Sequence, residues 1–218
     1  MNEFDQLLKT FSSIVLQASP LIIAVCGETI TERAGLINLS LDGTMLLSAM
    51  TGFIVGLQTG SLLLGFLAAA VVGMLFALIV AFGSIRLKQS QVAVGFVLTL
   101  LGDDLSSFLG QNFTRIPGPF VMKAGIPLLE DIPILGPLFF DQDPVVYFAL
   151  LLVGVTWWFL FRTQPGLKLR GVGERPQAAF ARGVKVNRLR YVYALVGGAL
   201  VGIAGAAYSL NVKLGWSE

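Results

Sequence analysis

Polar residues that interrupt an apolar stretch near the start of the chain are its first candidates for chemistry. The segment 28–43 reads ETITERAGLINLSLDG, and its charged or amide side chains belong to Glu28, Glu32, Arg33, Asn38 and Asp42. Such groups are costly in lipid unless they are partnered or hydrated. Breaks at Gly35 and again at Gly43 would expose backbone groups, which is tolerated at membrane depth only under protein or in a water-filled cavity. The segment is therefore predicted to line a solute path, with an ordinary solvated turn as the alternative.

A second polar group interrupts the apolar run 92–109, where Asp103 and Asp104 stand side by side. An acid at the centre of a membrane helix costs about 2.5 to 3.5 kcal/mol. Either Asp103 faces the interior of a bundle, or the pair touches headgroups at a broken helix end. Gln91 and Thr99 on the same predicted helix have the groups to bind a polar solute. The predicted pathway residues are Asn38, Asp42, Gln91, Thr99 and Asp103.

Several kinds of chemistry are excluded by composition. The chain has no histidine and a single cysteine, Cys26, so a Cys/His metal cluster, a disulfide and a His-activated nucleophile cannot be built within it. No G-x-x-x-x-G-K-[ST] loop is present, so ATP would have to be used by another subunit. The net charge of +2 does not favour nucleic acid. We expect a protein that is not an enzyme and that binds no cofactor itself.

The overall composition is that of a membrane protein. Hydrophobic residues make up 55% of the 218 residues, charged residues 13%, and the mean hydropathy is +0.79. The start of the chain lacks the basic region of a secretory signal. A spanning helix needs about 20 mostly apolar residues. This length predicts an all-α, polytopic transmembrane helical bundle of about six spans, near 11–31, 36–57, 61–85, 91–110, 144–161 and 191–210.

The distribution of charge predicts how the chain is oriented. Residues 162–190 hold eight of the fifteen Lys and Arg residues and one acid, Glu174, while Arg86 and Lys88 mark another bend. Basic loops favour the cytoplasmic side. The region 111–143 holds five of the nine prolines and four acids, and is predicted to be the external loop. The N-terminus is then external.

Small residues recur every four positions in three of the predicted helices, which allows close helix packing in a membrane. These ladders are predicted to be packing surfaces and consist of Gly52, Gly56 and Gly60; Gly65, Ala69, Gly73, Ala77 and Ala81; and Gly198, Gly202 and Ala206.

The centre of the basic loop is predicted to form a short cytoplasmic helix from Glu174 to Arg182. Pro176 lies near its start, where a missing N–H costs little, and Gly183 ends it. Its alanines keep it slim enough to enter a groove, and its arginines are placed to meet acids on a partner. The alternative is a helix that rests on anionic membrane lipid.

Three stretches carry a resemblance to a known family. They are GERPQAAFARGVKVNRLR at 173–190, continuing into GGALVGIAGA at 197–206; ERAGLINLSLDGTMLL at 32–47; and QVAVG at 91–95. Together they resemble, in order and over nearly the whole chain, the permease subunits of bacterial ABC importers for branched-chain amino acids, ribose-type sugars and nucleosides. The resemblance is nearest to the nucleoside and simple-sugar branch.

The resemblance implies a heteromeric importer in the bacterial cytoplasmic (inner) membrane. Its parts would be two permease subunits, identical or homologous, an ABC ATPase subunit, and an extracytoplasmic solute-binding protein that delivers a nucleoside or simple sugar. The predicted ATPase-docking residues are Gly173, Glu174, Arg175, Pro176, Ala178, Ala179, Arg182 and Gly183. A branched-chain amino acid permease, or an ion-coupled secondary transporter or channel that uses Glu28, Asp103 and Asp104, are the alternatives.

The chain departs from the family in two respects. Family members continue with further membrane helices, so we expect residues 1–218 to form a single transmembrane permease domain whose C-terminal helices are missing. Within it, 162–190 would be the cytoplasmic coupling loop. At Asp42 the nucleoside and simple-sugar branch more often has Glu.

Overall fold

The computed structural model describes residues 3–122, 141–213, 215 and 216, which are almost entirely helical. An isolated parallel β-bridge joins Thr114 to Trp216. The α-helices of the described part are α1 (Glu3–Arg33), α2 (Leu41–Thr59), α3 (Leu62–Ile85), α4 (Gln91–Gly110), α5 (Pro144–Arg162), α6 (Gln164–Glu174), α7 (Pro176–Ala181) and α8 (Val186–Ala207). A 3-10 turn at Gln111–Phe113 extends α4, and a π-helix at Tyr208–Val212 extends α8.

Six of these helices, α1 to α5 and α8, are long and apolar enough to cross a membrane. The predicted all-α bundle of six spans is therefore confirmed, and the predicted bounds differ from the observed ones mainly at the starts of α1, α2 and α8. Part of the predicted external loop, including Lys123, Glu130 and Asp131, lies outside the described residues.

The short helix predicted at 174–182 is wrong in its bounds. The loop holds two helices, α6 and α7, which meet at Arg175 with φ −140° and ψ 74°. Proline disfavours a helical conformation in the residue before it, so Pro176 forces this break. The start of α6 is stabilised by Thr163, whose hydroxyl accepts a hydrogen bond from the Gly166 N–H at 3.1 Å. Gly183, with φ +80°, follows the end of α7 as predicted.

Helix α8 lies at the centre of the bundle and packs against α1, α2 and α3. Its glycines permit the close approach, because a Cβ on Gly198 or Gly202 would collide with the backbone of α3. The corresponding glycine of α3 is Gly73, and Gly52 of α2 lies against Ala206 of α8. The small-residue ladders thus form helix-packing surfaces, as the sequence predicts, except at Gly60, which ends α2 with φ +67° and has nothing within 4 Å of an added Cβ.

One end of the bundle carries most of the basic residues. Leu36, after α1, packs there with Ala81 of α3 and Ala194 of α8. The α3–α4 bend with Arg86 and Lys88, together with α6 and α7, belongs to the same end. We call this the basic end. The concentration of basic residues at one end of the bundle is the pattern that cytoplasmic loops of membrane proteins show.

Candidate functional site

The connection between α1 and α2 is not a simple turn. Helix α1 ends at Arg33, Gly35 adopts a left-handed φ of +79°, and residues 34–40 are non-helical before α2 begins at Leu41. The predicted break at Gly35 is confirmed, whereas the predicted break at Gly43 is wrong. Gly43 lies in the first turn of α2, where a side chain would collide with the backbone of Thr99 on α4.

The non-helical segment 34–40 extends deep into the bundle. Gly43 packs against Thr99 and Gly102, which lie eight and eleven residues beyond the start of α4 at Gln91. At about 1.5 Å per residue, these positions are roughly 12 to 17 Å along α4. Helix α2 therefore begins beside the middle of α4 and not level with its start. Non-helical backbone at such depth needs protein partners or water.

Helix α4 supplies partners for the backbone of this segment. The side-chain amide oxygen of Gln91 accepts a hydrogen bond from the Ile37 N–H at 2.8 Å, and the Gln91 amide nitrogen donates to the Ser84 hydroxyl at 2.9 Å. The Thr99 hydroxyl donates to the Leu39 carbonyl at 2.8 Å. Gln91 and Thr99, predicted to contact solute, are thus engaged within the chain itself.

Helix α1 and the segment's own side chains supply further hydrogen bonds. The Asn38 N–H donates to Glu28 Oε1 at 3.0 Å. Asn38 Oδ1 accepts hydrogen bonds from the Ser40 N–H and the Ser40 hydroxyl, at 3.1 and 2.6 Å. Asn38 is only 5% exposed. The structure therefore places Asn38 inside a hydrogen-bonded turn and not on a free surface.

Asp42 lies elsewhere, at the wall of a cavity of about 350 Å³. Its side chain is exposed, and the cavity lies between α1, α2 and the π-helix that follows α8. The lining residues are Gln17, Leu21, Asp42, Met45, Leu46, Ala49 and Tyr208. Gln17 and Tyr208 are not among the pathway residues predicted from the sequence. An available signal for Gln17 was an amide side chain inside the first apolar span.

Asp103 lies neither beside the segment 34–40 nor at the wall of the cavity. Asp103 and Asp104 are exposed on α4, while the preceding Gly102 is buried against Gly43. Of the predicted pathway residues, Asn38, Gln91 and Thr99 therefore surround the segment 34–40, and Asp42 faces the cavity. Asp103 lines neither.

At the basic end, α6 and α7 form a groove of about 310 Å³ that contains most of the predicted docking residues. Ala179 is only 9% exposed, whereas Ala178 beside it is exposed. The groove is lined by Gly171, Glu174, Arg175, Ala178, Ala179 and Arg182. The arginines leave the groove positively charged, which suits an acidic rim on a partner.

Gly173 has a different environment from the other predicted docking residues. A Cβ at Gly173 would collide with the Arg33 carbonyl and lie 3.2 Å from the Gly35 nitrogen. Arg190 of α8 reaches the same point and donates from Nε to the Ala34 carbonyl at 3.2 Å. The end of α6 therefore packs directly on the start of the non-helical segment 34–40.

Phe180 is a candidate docking residue that the sequence analysis missed. It is 73% exposed on α7. It is also the only aromatic residue between Arg162 and Arg190, which was the signal available in the sequence. A large apolar side chain exposed in a polar loop is typical of a protein contact.

Comparison with known proteins identifies the family. Residues 10–218 match the family model described as "Branched-chain amino acid transport system / permease component". A putative glucose ABC transporter permease protein of Haloferax volcanii is 39% identical over 94% of the chain and 64% of its own length. A guanosine ABC transporter permease protein of Bacillus subtilis is 34% identical over 94% of the chain and 68% of its own length.

A third relative is a nucleoside ABC transporter permease protein of Lactococcus lactis, 32% identical over 98% of the chain and 71% of its own length. The chain thus spans about two thirds of the length of these relatives. The resemblance seen in the sequence is confirmed over all three of its motifs. The chain belongs to the family of permease components of branched-chain amino acid transport systems.

Proposed function

We propose that this chain is the membrane-spanning permease subunit of an ATP-binding cassette importer that translocates a nucleoside or a simple sugar. The observation that carries the proposal is the match of residues 10–218 to a permease family, with relatives named as glucose, guanosine and nucleoside permeases. The six apolar helices and the non-helical segment at membrane depth suit such a role.

The power source would be a separate ABC ATPase subunit that docks on α6 and α7. The groove between these helices is basic, and Phe180 and Ala178 are exposed beside it. A slim helix with one apolar anchor can enter a hydrophobic pocket while its arginines meet acids at the rim. ATP would be used there and not by this chain.

The complete importer would include a second permease subunit and an extracytoplasmic solute-binding protein, in the bacterial cytoplasmic membrane. The basic end would face the cytoplasm, and the N-terminus, at the other end of α1, would be external. This orientation places α6 and α7 where a cytoplasmic ATPase can reach them. The binding protein would then meet the opposite end, where Gly60 and the 110–122 region lie.

The docking role is tested by Phe180→Asp in the full chain co-expressed with its ATPase and binding-protein subunits. We expect the variant to insert in the membrane but to lose co-purification with the ATPase, and uptake of radiolabelled guanosine or glucose to fall by about tenfold or more, as hot-spot losses do. The matched control is Gln177→Asp, which adds the same charge to an exposed position of α7.

Normal uptake by Phe180→Asp would reject the docking role. Uptake by the wild type that persists without ATP but collapses with the ion gradient would reject the importer assignment and favour a secondary transporter. The two results are distinct, because the first concerns one surface of the chain and the second concerns the energy source.

A further inference from the structure

The cavity that contains Asp42 lies deep within the membrane thickness. Gln17 and Leu21, on its α1 wall, precede the end of α1 at Arg33 by sixteen and twelve residues. At about 1.5 Å per residue, these positions are roughly 18 to 24 Å from the basic end. This depth agrees with the contact of neighbouring Gly43 with α4. The cavity is therefore far from both the cytoplasmic loops and the docking groove.

We propose that this cavity is a binding site for the solute in transit, and that Asp42 binds a pair of adjacent hydroxyl groups there. The proposal rests on the function proposed above and extends it from a family of possible solutes to a chemical class. The ligand class is a neutral, compact solute with a vicinal diol, which ribonucleosides and simple sugars share.

The carboxylate of Asp42 is the first reason. Within the described residues it has no hydrogen-bond or salt-bridge partner, and it is exposed to the cavity. Its position in the first turn of α2 is favourable for the helix dipole, which explains why an acid is tolerated there. The dipole leaves the exposed oxygens unpaired, however, and an ionised group at this depth needs water or a polar solute.

The geometry of a carboxylate suits a diol. It is an acceptor only, with two oxygens that can each receive a hydrogen bond, and neighbouring hydroxyls are two donors at matching separation. Carboxylates bind ribose hydroxyls in dinucleotide sites for the same reason.

The other walls complete the match. Gln17 brings an amide whose nitrogen donates to the Ser13 hydroxyl at 3.1 Å and whose oxygen is an acceptor. Tyr208 brings a phenol, and Lys213 Nζ lies over its ring at 5.6 Å from the centroid. Leu21, Met45 and Leu46 are apolar. A volume of about 350 Å³ lies within the range of roughly 300 to 1,000 Å³ that is usual for small-molecule sites. Such a lining fits a solute with one hydroxylated edge and one apolar or planar face.

The test uses the full chain assembled with its ATPase and binding-protein subunits in proteoliposomes. Uptake is measured for guanosine and for 2′-deoxyguanosine, which lacks the vicinal diol. Methyl glucoside and methyl 3-deoxyglucoside, which has no two hydroxyls on neighbouring carbons, form the parallel arm, which separates a nucleoside from a sugar as the natural source of the diol. The variants are Asp42→Asn, Asp42→Glu and, as a matched control, Asp103→Asn, whose acid is exposed but does not line the cavity.

We expect Asp42→Asn to lower uptake of the diol solute by about tenfold, the loss expected for hydrogen bonds to a charged group. Uptake of the matching deoxy solute and ATP hydrolysis should stay within about twofold, while Asp42→Glu keeps the preference for the diol and Asp103→Asn changes neither uptake. Equal losses for diol and deoxy solutes, or no loss, would overturn the assignment of Asp42. Failure of the wild type to import any of the four solutes would instead overturn the proposed function itself.

Discussion

Gln91 at the start of α4 accepts a hydrogen bond from the backbone N–H of Ile37, 54 residues earlier in the chain, at 2.8 Å. The same amide group donates to Ser84 on α3. One side chain therefore joins the non-helical segment 34–40 to two membrane helices.

Gln91→Leu should destabilise the chain, because it leaves the Ile37 N–H without its partner. Ile37 is 50% exposed, so loss of this hydrogen bond should cost about 0.5 to 1.5 kcal/mol. The measurement is thermal unfolding of the purified full chain in detergent. The control is Gln89→Leu, since the exposed side chain of Gln89 donates to the nearby Leu87 carbonyl. Equal melting temperatures for the two variants would contradict the role given to Gln91.

Thiol accessibility should separate Asn38 from Asp42, although both are predicted pathway residues. In a Cys26→Ala background, Asp42→Cys should react with a small membrane-impermeant reagent, because its side chain faces an open cavity. Asn38→Cys should react at least about tenfold more slowly, since native Asn38 is buried and opening of the turn would come first. Similar rates at both positions would show that Asn38 is not held in the hydrogen-bonded turn.

The crossing of α2 and α4 should tolerate no side chain at Gly102. A Cβ there would collide with the Gly43 backbone, so Gly102→Leu should separate the two helices and cost about 1 to 3 kcal/mol or more. The control is Gly154→Leu on α5, where an added Cβ meets no atom within 4 Å. Thermal unfolding of both variants measures the difference. An undisturbed Gly102→Leu protein would refute the close crossing.

The two alanines of α7 should respond differently to tryptophan. Ala178 is exposed, so Ala178→Trp should leave folding intact while reducing co-purification of the ATPase. Ala179 is buried, so Ala179→Trp should overpack its surroundings and lower the melting temperature of the chain. Co-purification of the ATPase measures the effect of Ala178→Trp. Detergent-solubilised yield and thermal unfolding measure the effect of Ala179→Trp. A stable Ala179→Trp chain would show that α7 moves freely on α6.

The sequence predicts the fold well and the site less completely, for reasons that particular residues illustrate. Apolar length alone identifies the six spans, and the four-residue spacing of Gly198, Gly202 and Ala206 predicts the packing face of α8. Long apolar helices have few alternatives in lipid. The break before Pro176 also follows from the sequence, because proline restricts the residue before it. The prediction of a single helix from Glu174 to Arg182 does not apply that restriction.

The site depends on contacts between distant parts of the chain, which one sequence does not reveal. Gln91 and Thr99 have the chemistry to bind a solute, and only their contacts with Ile37 and Leu39 show that they hold the backbone instead. Tyr208 joins the cavity of Asp42 because α8 crosses α2, 166 residues later in the chain. Residue type alone identifies the polar candidates. Tertiary packing decides which of them hold the backbone of the segment 34–40 and which line the cavity.

Gly173 should be needed for transmission of force and not for docking. Its backbone packs on Arg33 and Gly35, at the start of the segment 34–40 that leads to the beginning of α2. Gly173→Ala would push α6 away from α1 while leaving the exposed Phe180 in place. We therefore expect uptake to fall by about tenfold, within the usual range of coupling energies, with ATPase co-purification and ATP hydrolysis retained.

The control for this coupling is Gly154→Ala on α5, which adds the same methyl group where nothing lies within 4 Å and which lines neither the docking groove nor the cavity of Asp42. It should retain both uptake and ATP hydrolysis. Loss of ATPase binding in Gly173→Ala would show that Gly173 belongs to the docking surface. Unchanged uptake would show that Gly173 does not transmit force to the segment 34–40. Only the uncoupled result, hydrolysis without uptake, follows from a contact that connects α6 to the non-helical segment, because a purely structural defect would lower both activities together.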